Sequence, residues 1–270
     1  MISIDNIDDD RIVDYRNLKQ QSIHGARKDR FVVEGRKVVQ KLLESKLETL
    51  SIFATKEFYS ENIDLINSKV NVISQFVASK SMMNEIAGFK LHSGILAVAL
   101  TPNFCNVGEL SDTIVALNKI GDAENLGSII RNCIAFGVNS IIIDSGTYYP
   151  YSRRVARVSM GALFKIKIAS YNTLSESLKP LKRNKYNIYA IENNIDSEPV
   201  ENFNFVGKKI LIFGNETNGI SREILKVCDS ILEIKMNNDI ESLNVASASA
   251  ILLNKIYENR HGDTIRLEYT

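Results

Sequence analysis

Several features are missing from this 270-residue chain, and each absence removes a class of function. No run of about 18 apolar residues occurs, so no transmembrane helix is expected. The opening residues, Met1 to Arg11, are acidic and lack the basic, apolar and small-residue order of a signal peptide. Cysteine is scarce: Cys105, Cys133 and Cys228 are far apart with no CxxC pair, as for reduced, partly buried thiols in a cytoplasmic protein. Histidine is equally scattered (His24, His92, His261), so no metal site is expected. No GxGxxG follows a strand, no glycine loop carries the Lys and Ser/Thr of a P-loop, and no GxSxG elbow is present. Dinucleotide binding of the Rossmann type, nucleoside-triphosphate hydrolysis and serine hydrolysis lose their support. Internal repeats and low-complexity tracts are absent too.

What remains is a soluble globular composition, 44% hydrophobic and 24% charged with four prolines, long enough for one large or two medium domains. The net charge is only +1, but it is unevenly placed. From Arg11 to Lys46 there are ten Lys or Arg against four Asp or Glu, and from Tyr151 to Lys167 five against none. Such patches suit a phosphate backbone, or are simply solvated helix faces.

Residues 11 to 100 read as a small α/β unit. Ile12 to Ile23 is amphipathic; strands are expected at Phe31–Val33, Leu50–Phe53, Val70–Ile73 and Gly94–Leu100. Helices are expected around Val38–Leu43, Asn62–Asn67 and Ser79–Ile86. Thr101-Pro102-Asn103-Phe104 breaks the pattern, which places a first domain at 1–101, a linker at 102–110 and a second domain at 111–270. In the second, near-continuous apolar strands (Ile114–Leu117, Ser140–Ile143, Asn187–Ile191, Lys209–Phe213, Ile231–Ile234) alternate with helices. One helix, Leu126 to Phe136, puts Leu126, Ile129, Ile130 and Cys133 on one face and stops at Gly137. Buried strands between helices argue for a mostly parallel sheet covered on both sides.

Three loops sit where those strands end, the place where open α/β sheets bind ligands. The first is Gly121 to Asn132, carrying Asn125 and Arg131. The second, Phe213 to Ser221, has two glycines flanking Glu216, so backbone can approach a ligand closely. In the third, a short strand through Met236 gives way to a polar turn, then to Ser242, Asn244 and five consecutive Ala or Ser residues opening a helix. Small residues allow another backbone to come near, and Ser242 and Asn244 stand beside free N–H groups where the helix dipole favours an anion. Alone, this stretch reads equally as an ordinary capped core helix, and Arg131 alone as a solvated charge.

In this order and spacing, the three loops resemble the SpoU (TrmH-like) branch of the SPOUT RNA ribose methyltransferases. Asn125-Leu126-Gly127-Ser128-Ile129-Ile130-Arg131…Ala135-Phe136-Gly137-Val138 is similar to its first motif, Gly214-Asn215-Glu216…Gly219-Ile220-Ser221 to its second, and Ile234-Lys235-Met236…Glu241-Ser242-Leu243-Asn244-Val245 to its third. Arg157 to Phe164 resembles a linking segment, and Arg27…Arg30-Phe31-Val32-Val33-Glu34-Gly35 resembles the family's L30e-like RNA-binding extension. The resemblance spans roughly residues 10 to 258. It implies an α/β fold with a deep trefoil knot closing the catalytic domain, a homodimer formed through that domain, and S-adenosylmethionine as cofactor. No membrane or metal enters.

By the same resemblance, Phe213, Gly214, Asn215, Glu216, Gly219, Ile234, Met236, Ser242 and Leu243 hold the cofactor. Asn125, Arg131, Glu216, Ser242 and Asn244 form the catalytic set, and Arg27, Lys28, Arg30, Arg131, Arg153, Arg154 and Arg157 face RNA. The family casts the matching arginine as base, yet a guanidinium keeps its proton to a pKa above about 12. Arg131 and Ser242 gripping a phosphate, with Asn125 and Asn244 fixing the 2′-hydroxyl, is the division the chemistry favours. The added first domain points to rRNA ahead of tRNA, by analogy alone. Ala123 stands where the family often has Pro after the Asp, Glu124 adds a carboxylate beside Asn125, and Lys235 replaces the usual Pro of the third motif. These departures are the support for a rival reading, a non-catalytic RNA-binding protein on a degenerate scaffold.

Overall fold

The computed structural model describes residues 1–19, 29–68, 74–194, 196–237 and 242–265, with side chains to 259; among these described residues twelve strands and nine α-helices form two units. In chain order the first elements are β1 (Ile2–Ser3), β2 (Arg30–Glu34), α1 (Arg36–Glu44), β3 (Thr49–Ala54), α2 (Lys56–Glu61), α3 (Ile63–Asn67), β4 (Ser74–Val77), α4 (Lys80–Ala87) and β5 (Ile95–Leu100). Then come β6 (Thr113–Asn118), α5 (Ala123–Ala135), β7 (Ser140–Asp144), α6 (Arg153–Val158), β8 (Lys167–Tyr171), α7 (Leu174–Arg183) and β9 (Asn187–Ile191). The chain continues through β10 (Glu198–Pro199), β11 (Lys209–Gly214), α8 (Arg222–Leu225), β12 (Ser230–Glu233) and α9 (Val245–Ile265). The strand expected at Val70–Ile73 lies outside the described residues; β4 begins just after it. No described helix is long and apolar enough to cross a membrane.

One unit comprises Met1–Asn103 together with Tyr149–Lys165. Its five-stranded sheet runs β1-β4-β3-β5-β2, with β1, β4 and β3 parallel and β5 antiparallel to both β3 and β2. The amphipathic stretch from Ile12 starts as a 3₁₀ segment, Asp10–Tyr15, that buries Ile12 and Tyr15. The Tyr15 hydroxyl lies 2.7 Å from Ser51 Oγ, so its polar end is satisfied inside the core. Tyr149–Lys165 is fastened to this unit by specific contacts. Phe31 stacks near Tyr151 and Phe164, Lys41 Nζ donates to the Met160 carbonyl at 2.8 Å, and Arg153 pairs with Glu34 while lying over the Phe89 ring.

The other unit, Phe104–Tyr148 with Ile166–Thr270, is built on a wholly parallel seven-stranded sheet, β10-β12-β9-β11-β6-β7-β8. The α/β class and parallel sheet are as expected; β8, an edge strand with only two buried residues, has too weak a pattern to read from sequence. Alternate residues of each strand point to opposite faces. Ile114, Ala116, Ile210 and Ile212 meet Leu174, Leu178 and Leu181 of α7 and Ile224 of α8. Across the sheet lie α5, whose Leu126, Ile129, Ile130 and Cys133 are fully buried, and α9. Each such aliphatic side chain contributes about 1.5–3 kcal/mol. The small residues at the start of α9 admit α5 closely: Asn132 Nδ2 donates to the Ala246 carbonyl at 2.8 Å and to Ser249 Oγ at 2.9 Å.

The strand order has a reversal that positions everything functional. After β6 and β7 the chain adds β8 outward, then returns to the other side of β6 for β9, and β11 fills the slot between. Register aligns the strand ends: Gly214 pairs with Asn118, Phe213 with Ile191, and Ile191 with Leu232. Loops after β6, β9, β11 and β12 therefore leave the same edge of the sheet at the same level, beside its topological switch point.

Candidate active site

The first loop leaves β6 at Asn118 and turns through Lys119, held at φ +58°. Asp122 caps α5, its Oδ1 accepting from the N–H groups of Glu124 (2.8 Å) and Asn125 (2.9 Å). Capping fixes Asn125 in the first helical turn. Ala123 takes the first helical position, where proline is also tolerated because no N–H bond is needed there, so Ala in place of Pro leaves the helix start intact.

The second loop is closed by its own side chains. Asn215 and Gly219 exchange backbone hydrogen bonds of 3.2 and 2.9 Å, and Asn215 Oδ1 accepts from Thr217 and Asn218. Asn215 Nδ2 donates to the Lys119 carbonyl at 3.0 Å, tying this loop to the first. Two glycines are required. A Cβ on Gly214 would lie 2.4 Å from the Gly219 carbonyl carbon, and Gly219 adopts φ +64°.

The third loop carries Ile234 and Met236, passes through residues 238–241 outside the described set, and re-enters at Ser242. Asn244 caps α9: its Oδ1 accepts from Ala246 N–H at 2.9 Å and Ser247 N–H at 3.3 Å. Its amide nitrogen donates to Asn125 Oδ1 at 2.9 Å, and Asn125 Nδ2 in turn donates to Glu216 Oε1. One residue from each loop thus forms a polar relay, Asn244 to Asn125 to Glu216.

Beside this relay lies a cavity of about 380 Å³. All nine residues expected to hold the cofactor line it: Phe213, Gly214, Asn215, Glu216, Gly219, Ile234, Met236, Ser242 and Leu243. Of the expected catalytic set, Asn125, Glu216 and Asn244 are joined by hydrogen bonds and Ser242 is at the cavity wall. Arg131 stands apart, exposed two helical turns beyond the start of α5 and outside the relay. Lys235 is exposed and does not line the cavity.

Sequence reasoning missed the buried network beneath the loops. Asp144, at the end of β7, is 4% exposed and accepts from Asn118 Nδ2 (2.7 Å), Lys119 N–H (3.0 Å) and Thr147 Oγ1 (2.9 Å). Asn118 Oδ1 then accepts from Ser221 N–H at 2.9 Å, so one buried carboxylate braces two of the loops. Glu192, after β9, was missed as well, although a carboxylate at a fourth strand end on that edge was visible.

Of the residues expected to face RNA, Arg27 and Lys28 lie outside the described set. Arg154 and Arg157 are exposed. Arg30 is held by Asp14 and Asp29 at 3.3 and 2.9 Å. Arg153, part-exposed, pairs with Glu34, which is 3% exposed, and lies over the face of Phe89, so its guanidinium also braces the first unit. No group of described residues could hold a metal ion. Burial raises the Cys133 thiol and pushes Cys228 up to about 12, so neither is poised as a nucleophile.

Solved structures of RNA methyltransferases share this fold. The AdoMet-bound rRNA methyltransferase of Sinorhizobium meliloti superposes with a TM-score of 0.80 at 22% identity, over 96% of this chain and 97% of that one. AviRb, the SpoU methyltransferase of Streptomyces viridochromogenes in complex with AdoMet, gives 0.79 at 20% identity, over 93% and 98%. The model of the SpoU rRNA Methylase family matches residues 112–254. An uncharacterized tRNA/rRNA methyltransferase of Mycobacterium bovis is 30% identical over 90% of this chain and 87% of its own length. The 23S rRNA (guanosine-2′-O-)-methyltransferase RlmB of Acinetobacter baylyi is 25% identical over 83% and 95%. The chain belongs to the SpoU rRNA methylase family.

Proposed function

We infer that this protein transfers a methyl group from S-adenosylmethionine to a ribose 2′-hydroxyl of RNA, with rRNA as the substrate class ahead of tRNA. The observation that carries this reading is a cavity lined by the second and third loops, with Glu216 of its wall joined by hydrogen bonds to Asn125 of the first loop and through it to Asn244. The cavity suits the donor on its own terms. Its glycine-lined wall leaves no room for a Cβ at Gly214, the charged side chains among its described residues are carboxylates alone, and the donor carries net positive charge.

Bound there, the donor supplies a methyl carbon made electrophilic by its sulfonium. The chain's task is to present the hydroxyl in line and keep its proton in hand. Asn125 and Asn244, each held at both ends of its side-chain amide, are read as the groups that orient the hydroxyl. Ser242 and the exposed Arg131 are read as the phosphate grip; a guanidinium binds phosphate well and surrenders its proton poorly. A hydroxyl target implies RNA, since the 2′-OH is what DNA lacks. Resemblance to SpoU proteins extends the reading to a trefoil-knotted C-terminus, a homodimer through the second unit, an L30e-like RNA-binding role for the first and a cytoplasmic setting.

Incubation with methyl-labelled donor and total RNA tests the proposal. The expected result is a 2′-O-methyl mark on rRNA that disappears with Arg131→Ala. Absence of any mark on rRNA or tRNA would favour the non-catalytic reading, which Ala123 and Lys235, as placed here, do not support.

A further inference from the structure

The cavity contains a carboxylate to which no role has yet been given. Glu192 follows β9, and its Oε2 accepts the Ile220 N–H at 2.7 Å. Its Oε1 lies 2.9 Å from where a Gly219 Cβ would stand. The carboxylate is therefore held against the second loop at the cavity wall instead of swinging in solvent. Among the described residues lining the cavity the charged ones are Glu192 and Glu216, with no Lys, Arg or His. Glu216 is already engaged by Asn125.

We propose that Glu192 is a specificity-determining residue for the methyl donor, making the cavity select the sulfonium over the uncharged thioether left after transfer. The proposal rests on the donor assignment above. Donor and product share the adenosine and the amino-acid group; they differ by one methyl and one positive charge. A wall without net charge has only a methyl contact with which to tell them apart. A fixed carboxylate in a partly enclosed site adds a Coulomb attraction that only the donor feels, worth on the order of tenfold in affinity even when strongly screened. Selection of this kind hastens product departure and lessens inhibition by accumulated thioether. It also disfavours nucleotides, whose phosphates meet two carboxylates.

Calorimetric titration tests this without reference to turnover. Three ligands are compared on wild type and on Glu192→Gln: S-adenosylmethionine, S-adenosylhomocysteine, and an analogue bearing an ammonium in place of the sulfonium. Wild type should bind both cationic ligands about tenfold more tightly than the thioether. Glu192→Gln, which keeps an oxygen for Ile220 N–H, should bind the thioether about as wild type does while the preference falls below about threefold. Equal binding of all three by wild type, or an undiminished preference in the variant, overturns the proposal. If wild type binds none of them, the donor assignment itself fails and takes the proposal with it. Should the variant not fold, the wild-type series decides: cationic ligands tighter supports it, thioether equal or tighter overturns it.

Discussion

The first unit and the loops at the sheet edge of the second handle polar residues differently. In the first, charge is neutralised locally: Arg153 with Glu34, Arg30 with Asp14 and Asp29, Arg36 with Glu61. In the second, ion pairs such as Lys182–Asp229 occur too, but the relay Asn244–Asn125–Glu216 is made of two amides and a carboxylate, with no cation in it. Ion pairs hold a segment in place but leave nothing over for a ligand. Amides with two donors and an acceptor can brace a loop and still offer a hydrogen to a substrate. The difference separates residues that matter to folding from those that matter to chemistry.

The sharpest way to break that contrast is at the relay. Asn125→Ala should lower methyl transfer by roughly 10²–10³-fold, as for loss of one positioned donor, with little change in thermal midpoint; a rate assay beside a melting curve checks it. Gly214→Ala should abolish donor binding by calorimetry, because the new Cβ meets the Gly219 carbonyl carbon at 2.4 Å and the loop must move. On the other side, Arg153→Ala should cost on the order of 2–3 kcal/mol in denaturant unfolding by leaving Glu34 buried and unpaired, below the full-burial range because the arginine is part-exposed. Arg157→Ala should change stability by less than about 0.5 kcal/mol, yet weaken RNA binding and flatten its salt dependence.

Asn132→Ala should cost about 1–2 kcal/mol through two lost hydrogen bonds. The smallest effect concerns the thiols. With Cys228 raised to about 12, its neutral form is favoured in the fold. Stability from that preference is complete below the ordinary thiol value and is lost as pH climbs toward 12. Alkylation of native protein at pH 8 should therefore be slow at Cys228 and slower at the fully buried Cys133, read by mass spectrometry.

Much of the second unit was legible because its strands are unbroken apolar runs and its loops are marked by Gly, Asn and Asp. Residue type marked Asn125, Glu216 and Asn244 as polar loop positions, and the family resemblance grouped them. What could not be read depends on neighbours distant in the chain. Strand order is set by crossovers, so nothing local says that β11 lies between β9 and β6. Asp144 and Asn118 look like ordinary strand-end residues until register brings them level. The Arg153 ion pair joins positions 119 apart, and Arg153 reads as a patch residue until Glu34 is placed beside it.

Asn244 belongs to two structures at once. Its oxygen starts α9 and its amide nitrogen holds Asn125, so unravelling that first turn would also release the neighbouring side chain. Hydrogen exchange at the Ala246 and Ser247 amides is then a remote gauge of whether the relay is assembled. A ligand that tightens the relay should slow their exchange even if it never touches the helix.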